Sequence, residues 1–243
     1  MARDGQRVDA VTFDFWNTLV SEVGGESMAA RRDVWFRRLA SAGLEVEAER
    51  IEASFAIAWS DYTVAWEGNR QYTPDQAARR ALRHLDLTLE PAMVDEMVEL
   101  FVMATDGLRP DLCSGAADVL AELADRGLRI GIICDVGFTP SPILREWLDG
   151  HGVLKFFTGW SFSDEVGWFK PAPEIFAHAL AYLDVPPGRV AHVGDLRRTD
   201  VAGARSAGLV SVRYRGAYDD ASELAEADIV IDRHDDLVAS LHV

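Results

Sequence analysis

The sequence predicts an α/β fold: a doubly wound parallel sheet interrupted by an inserted, all-helical domain. Three observations predict it. From Asp111 onward, strand-like and helix-like segments alternate, the pattern of parallel strands joined by helical crossovers. A lone buried strand, VDAVTFDF at 8–15, precedes them and completes the same sheet. Between the two, residues 21–108 are dominated by helix formers and contain no strand run. The expected division is a core of 1–20 and 109–243 and a helical cap of 21–108, which would hang over the strand ends as a lid does.

Each element has a local cause. The first strand is apolar and β-branched, and it ends in the polar loop Asp14-Phe15-Trp16-Asn17-Thr18-Leu19. Four helices are expected in the insert, at about 27–42, 47–67, 74–85 and 91–105. Thr73-Pro74 fits an N-cap followed by a first-turn proline. In the last of the four, Met93, Val94, Met97, Val98, Leu100 and Phe101 recur at helical spacing. Gly24-Gly25 and Arg109-Pro110 mark hinges at the two ends. Trp35, Trp59 and Trp66 are expected in the core of the insert, and Arg31, Arg32, Arg37 and Arg38 on a solvated helix face. Strands follow at 129–134, 157–162, 189–194, 209–214 and 228–232, with helices at about 115–126, 141–150, 172–183 and 200–207 between them.

Composition excludes several classes. The chain has 243 residues, 49% of them hydrophobic, with 40 acidic against 24 basic side chains and a net charge of −16. Such a balance repels phosphate backbones, so no nucleic-acid partner is expected. No run reaches the roughly 18 apolar residues of a membrane span, and the first residues lack a signal-peptide pattern. No membrane partner and a cytoplasmic address follow as expectations. Cys113 and Cys134 form neither a disulfide framework nor a zinc signature. Lys155 and Lys170 are the two lysines, so any lysine-dependent chemistry has two candidates.

In a parallel sheet of this kind, ligands bind at the carboxyl ends of the strands. There the sequence places Asp14, then Cys134-Asp135, then Ser163-Asp164-Glu165 with Lys170 beyond, then Asp195 with Asp200 five residues on. Asp14, Asp195 and Asp200 share one place only if something positive lies among them, and an oxygen-bound divalent cation such as Mg²⁺ is the natural answer. Carboxylates, a metal and a lysine together suit an anionic phosphate ester. Asp164 and Glu165 read as solvation or helix pairing, and His192 as a core histidine.

The segments FDFWNTLV (13–20), IGIICDVG (130–137), KPAPEIF (170–176) and HVGDLRRTD (192–200), in this order and spacing, resemble the haloacid dehalogenase superfamily, in its phosphatase-like branch with a helical cap after the first strand. The resemblance covers nearly the whole chain. It implies a Rossmann-like core, a Mg²⁺ cofactor and a small phosphorylated substrate. It further implies Asp14 as a nucleophile that forms an aspartyl-phosphate, and Lys170 as the residue that orients Asp14 and neutralises the phosphate. Cys134 takes the place of a Ser or Thr that binds the phosphoryl group, with Asp135 and Thr18 beside it. Thr18 also stabilises the nucleophile loop. The metal set is Asp14, the carbonyl of Trp16, Asp195 and Asp200, the last directly or through water.

Two departures shape the expectation. Phosphatases of this family usually carry a second Asp two residues after the nucleophile, as general acid and base; here Trp16 stands there, and an indole N–H does no acid–base work near neutral pH. Cys134-Asp135 stands where Ser/Thr-Asn is more usual. Beside the phosphatase reading are therefore two others: a metal-independent 2-haloacid dehalogenase, whose halide leaving group needs no proton and whose branch carries an aromatic residue at that position, and a degenerate member that serves as a binding or scaffolding protein. A Schiff-base mechanism from the insert is excluded, because residues 21–108 contain no lysine.

Overall fold

A computed structural model of the chain describes residues 7–21 and 25–241. Residues 1–6 of the expected core and Gly24 of the expected hinge lie outside that range. The chain divides into two compact units, one of residues 1–22, 110–135 and 145–243, the other of residues 23–109 and 136–144.

The first unit is built on six strands: β1 (Ala10–Phe13), β2 (Arg129–Cys134), β3 (Gly159–Phe162), β4 (Val190–Gly194), β5 (Val210–Tyr214) and β6 (Ile229–Ile231). All pair in parallel, in the order β3-β2-β1-β4-β5-β6. This is the doubly wound order, with its reversal between β1 and β4. Every residue of β1 and β4 is buried, as central parallel strands require. Crossover helices supply the apolar cover. In the helix Pro173–Leu183, Ile175, Phe176, Ala179 and Leu183 pack on Ala10, Ile133 and Val190. Their i, i+4 and i, i+8 spacing is the stripe that the sequence shows. The expected helix at 200–207 begins later, at Ala202, because a wide turn over Arg197–Val201 precedes it and holds Asp200.

The second unit contains four helices, α1 (Glu26–Ser41), α2 (Ala48–Glu67), α3 (Pro74–Leu85) and α4 (Pro91–Met103). Thr73 caps α3 as its sequence implies: its hydroxyl accepts the Gln76 N–H at 3.3 Å, and the Gln76 side chain accepts the Thr73 N–H at 2.9 Å. Trp35 is fully buried, edge-on to Phe55, and donates its indole N–H to the Met97 carbonyl at 2.7 Å. Trp59 departs from expectation: half of it is exposed, with one face stacked on Tyr62.

Arg31 also departs from expectation. It is buried rather than solvated, and donates to the carbonyls of Ser27 (3.0 Å) and Phe138 (2.8 Å) and to Thr139 Oγ1 (3.1 Å). These bonds fasten Val136–Leu144 to α1 and explain why that segment, expected in the core, groups with the helical unit. Periodicity could not show this, because Arg31 sits on a helix whose neighbouring arginines do face outward, Arg32 to Glu52 and Arg38 to Glu96. Among the described residues, no helix is long and apolar enough to cross a membrane.

Candidate active site

Parallel strands end at one edge, so the residues that follow them are neighbours. Phe13 lies opposite Val193 in the β1–β4 register, which brings Asp14 and Asp195 to the two sides of the topological reversal. The Asp14 N–H donates to the Val193 carbonyl at 2.8 Å, so the sheet ladder itself fixes where that carboxylate begins. The chain then folds back on itself. Leu19 and Val20 both donate their N–H to the Phe15 carbonyl at 2.9 Å, and Asn17 adopts a left-handed φ of 54°. Asparagine tolerates that conformation better than a branched residue would. From the far end of the chain, the His234 Nε2–H donates to the Thr18 carbonyl at 2.8 Å and ties the loop down.

Asp14, Asp195 and Asp200 each present an oxygen, all within 4.8 Å of one another, and all three residues are buried. Lys170 reaches in from the segment before Pro173–Leu183. Its Nζ donates to Asp14 Oδ1 at 2.5 Å and to Asp200 Oδ1 at 2.6 Å. Three carboxylates and one ammonium leave a local charge of two negatives. That deficit is the charge of one divalent cation, and the donors are all hard oxygens, so the set fits Mg²⁺ in both charge and chemistry.

The electrostatics express the same deficit. Burial pushes the Asp14 carboxyl up to about 7, against the pull of Lys170. Burial and then the nearby Asp14 push Asp195 up to about 8; among the described residues it has no salt-bridge partner, and the Asn17 amide donates to it at 3.5 Å. Asp200 is also penalised by burial, but Lys170 and His192 outweigh that and hold it below the ordinary range. Burial likewise opposes the charge on Lys170, yet Asp14 and Asp200 raise its pKa well above the ordinary lysine value, so it stays an ammonium.

Asp200 is held by four donors. Oδ1 accepts from Lys170 and from His192 Nε2 (3.1 Å); Oδ2 accepts from the Leu196 N–H and from Thr199 Oγ1, both at 3.1 Å. Gly194 makes room for it: a Cβ at that position would lie 2.3 Å from Asp200 Cγ. His192 is neutral, its pKa lowered by burial. Its Nε2–H faces Asp200, which leaves Nδ1 to accept from Thr12 Oγ1 at 2.9 Å.

A pH dependence follows. Asp14 and Asp195 keep protons in the metal-free folded state that the unfolded chain gives up near pH 4, so their ionisation lowers stability as pH rises toward 8. His192 and His234, both lowered by burial, act oppositely, an effect that fades as pH rises through the ordinary histidine value of 6.5. Between pH 6.5 and 8 the carboxylates outweigh them. The EDTA-treated protein is expected to melt at falling temperature across that window, and Mg²⁺ to flatten the slope. Parallel melting curves with and without Mg²⁺ would refute this reading of the cluster.

The remaining expected residues are placed as follows. Cys134 is fully buried with Sγ 3.4 Å from the Asp135 carbonyl, and burial and Asp14 keep it a thiol. Asp135 turns Oδ1 to the Lys170 N–H at 2.7 Å, so that oxygen positions the lysine segment. The Thr18 hydroxyl is buried without a hydrogen-bond partner. The Trp16 ring packs edge-on against Phe15 and Trp147, with centroids 5.1 and 6.0 Å away. Glu165 pairs with Arg145 at 2.6 Å. Sequence reasoning gave no role to Thr12, Asn17 or His234, and took His192 for core packing. One signal was available: Thr12 and His192 are polar residues in otherwise apolar strands, and they are register partners.

A family model described as haloacid dehalogenase-like hydrolase matches residues 8–208. Glyceraldehyde 3-phosphate phosphatase of Methanopyrus kandleri is 30% identical over 91% of this chain and 91% of its own length. Phosphoglycolate phosphatase of Salmonella paratyphi A is 26% identical over 97% of this chain and 93% of its own. Among solved structures, 2-haloacid dehalogenase from Pseudomonas syringae shares the fold, with a TM-score of 0.72, 23% identity and coverage of 96% of this chain and 97% of that one.

Proposed function

The chain belongs to the haloacid dehalogenase-like hydrolases, and on that premise we propose that it is a Mg²⁺-dependent phosphatase of a small phosphorylated metabolite. The observation that carries the reading is the charge deficit around Asp14: three buried carboxylates share one ammonium, a set that would hold a divalent cation and leave Lys170 to face a phosphoryl group. The names of the two phosphatase relatives support the same class.

In this mechanism an Asp14 carboxylate oxygen attacks phosphorus and the bond to the leaving oxygen breaks, leaving an aspartyl-phosphate that water then hydrolyses. Lys170 favours the ionised form of Asp14 against the effect of burial, orients it, and faces the phosphoryl oxygens as charge spreads over them. Asp14, Asp195 and the Trp16 carbonyl would hold Mg²⁺, which supplies neutralising charge and Lewis acidity. Asp200, already bound by four donors, acts at one remove by fixing Lys170. Cys134 and Thr18 complete the phosphoryl surroundings. The deciding assay is a panel of phosphate esters and 2-haloacids with EDTA or Mg²⁺, scored for phosphate and halide. Phosphate release that vanishes in EDTA and returns with Mg²⁺ is expected.

The Trp16 position favours one second reading, a 2-haloacid dehalogenase, and halide release undiminished by EDTA would establish it. For the phosphatase, the same position sets a rate law. Without an acid there, alkyl phosphates should react about 10²–10⁴-fold more slowly than aryl or acyl phosphates, whose leaving oxygens depart without a proton. A burst of alcohol release ahead of a slower steady state is also expected, because no base activates the attacking water. Trp16→Asp should raise turnover on alkyl phosphates, with thermal melting run alongside to register lost packing against Trp147. A rate independent of leaving-group pKa would show that another residue supplies the proton.

A further inference from the structure

The helical unit carries a second concentration of chemistry that the catalytic reading does not use. A cavity of about 600 Å³ is lined by residues of α2, of α3 and of the connection between them. Small-molecule sites fall in the same range, about 300–1,000 Å³. Four arginines line it, Arg70, Arg79, Arg80 and Arg83, against one carboxylate, Asp61. The lining is therefore three charges positive, in a chain whose net charge is −16.

These arginines are not all engaged. Arg80 Nε pairs with Asp61 at 2.6 Å, and Arg79 with Asp75 and Asp95 at 3.1 and 3.0 Å. Among the described residues, Arg70 and Arg83 have no carboxylate partner. Arg79 and Arg83 are also four residues apart on α3, where like charges work against a helix. A solvated helix face would be better served by an alternating pattern.

An anionic ligand would supply the charge that Arg70 and Arg83 lack. Guanidinium forks match phosphate oxygens two at a time.

We propose that the α2–α3 cavity is a second, non-catalytic binding site for a small, multiply charged phosphate of the diphosphate class. Arg70 and Arg83 grip its oxygens.

Inorganic pyrophosphate is the probe, titrated calorimetrically into the full chain at low ionic strength in EDTA. Without metal, the catalytic carboxylates are net negative and do not attract it. One saturable site is expected. Arg70→Gln with Arg83→Gln should weaken it about tenfold or more, since two charge-assisted contacts are lost. A control of equal charge, Arg37→Gln with Arg126→Gln, both exposed and outside the cavity, should bind as the wild type does. Absence of saturable binding to the wild type, or equal weakening in the charge-matched control, overturns the proposal and leaves the arginines as a solvated surface.

Discussion

Asp14→Asn is expected to reduce turnover to background, a loss on the order of 10⁴–10⁶ by analogy with removal of other covalent nucleophiles. The substitution keeps shape and one hydrogen-bond acceptor for Lys170 but removes both charge and nucleophilicity. Its effect on stability should run the other way. Asp14 is buried, and desolvation is the largest influence on its carboxyl, which titrates near 7 when metal-free. Replacing it by a neutral amide relieves the cluster of one charge, so the metal-free variant should melt at or above the wild-type temperature at pH 8. Mg²⁺ should stabilise it less than it stabilises the wild type. Steady-state turnover, melting with and without Mg²⁺, and intact-mass detection of a phosphorylated wild-type enzyme check the three parts. Retained turnover would sink the covalent mechanism, whatever the melting curves show.

Lys170→Met is expected to have the largest effect on the fold. The ammonium is 2% exposed and is shared by Asp14 and Asp200. Methionine fills similar volume and leaves both carboxylates uncompensated. Breaking a buried charge pair by removing one partner costs about 3–5 kcal/mol, so denaturant unfolding in EDTA at pH 8 should show a loss of that order. At pH 5 the loss should shrink, because Asp14 and Asp195 are then largely protonated in the folded protein. Turnover should fall with it even where Mg²⁺ restores the fold, since on the proposed mechanism the phosphoryl group would lose the Lys170 ammonium. Unchanged stability at pH 8 would mean that the ammonium is not the counter-charge of this cluster.

The meeting of Asp14 and Asp195 was legible because strand ends are legible. Buried parallel strands read as short apolar runs, and the residue after each run lands at one edge of the sheet. Asp14 and Asp195 needed nothing more than that. The groups that hold them were hidden, because they come from places the linear pattern makes bland. His192 is the third residue of an apolar strand, and its role exists only because the β1–β4 register sets it beside Thr12 and the turn at 197–201 brings Asp200 onto its Nε2. His234 lies 216 residues from the carbonyl it supports. Asp135, expected beside the phosphoryl group, gives Oδ1 to the backbone N–H of Lys170, an orientation that no spacing rule reveals.

The chain's own sequence determined the α/β class, the helical insert, the order of the elements and the identity of the chemistry-bearing residues. Those depend on local quantities: apolar periodicity, capping residues and the position of a polar residue after an apolar run. Tertiary structure alone decided the charge balance of the site. Whether Lys170 compensates one carboxylate or two, whether Asp195 has a cation, and whether Asp200 is free or held by four donors depend on distances of a few ångströms between segments far apart in sequence. The same holds for Arg31, alike in sequence to its exposed neighbours but buried because Phe138 and Thr139 meet it there. Coulomb and hydrogen-bond energies change steeply over such distances, and a linear pattern carries no information about them.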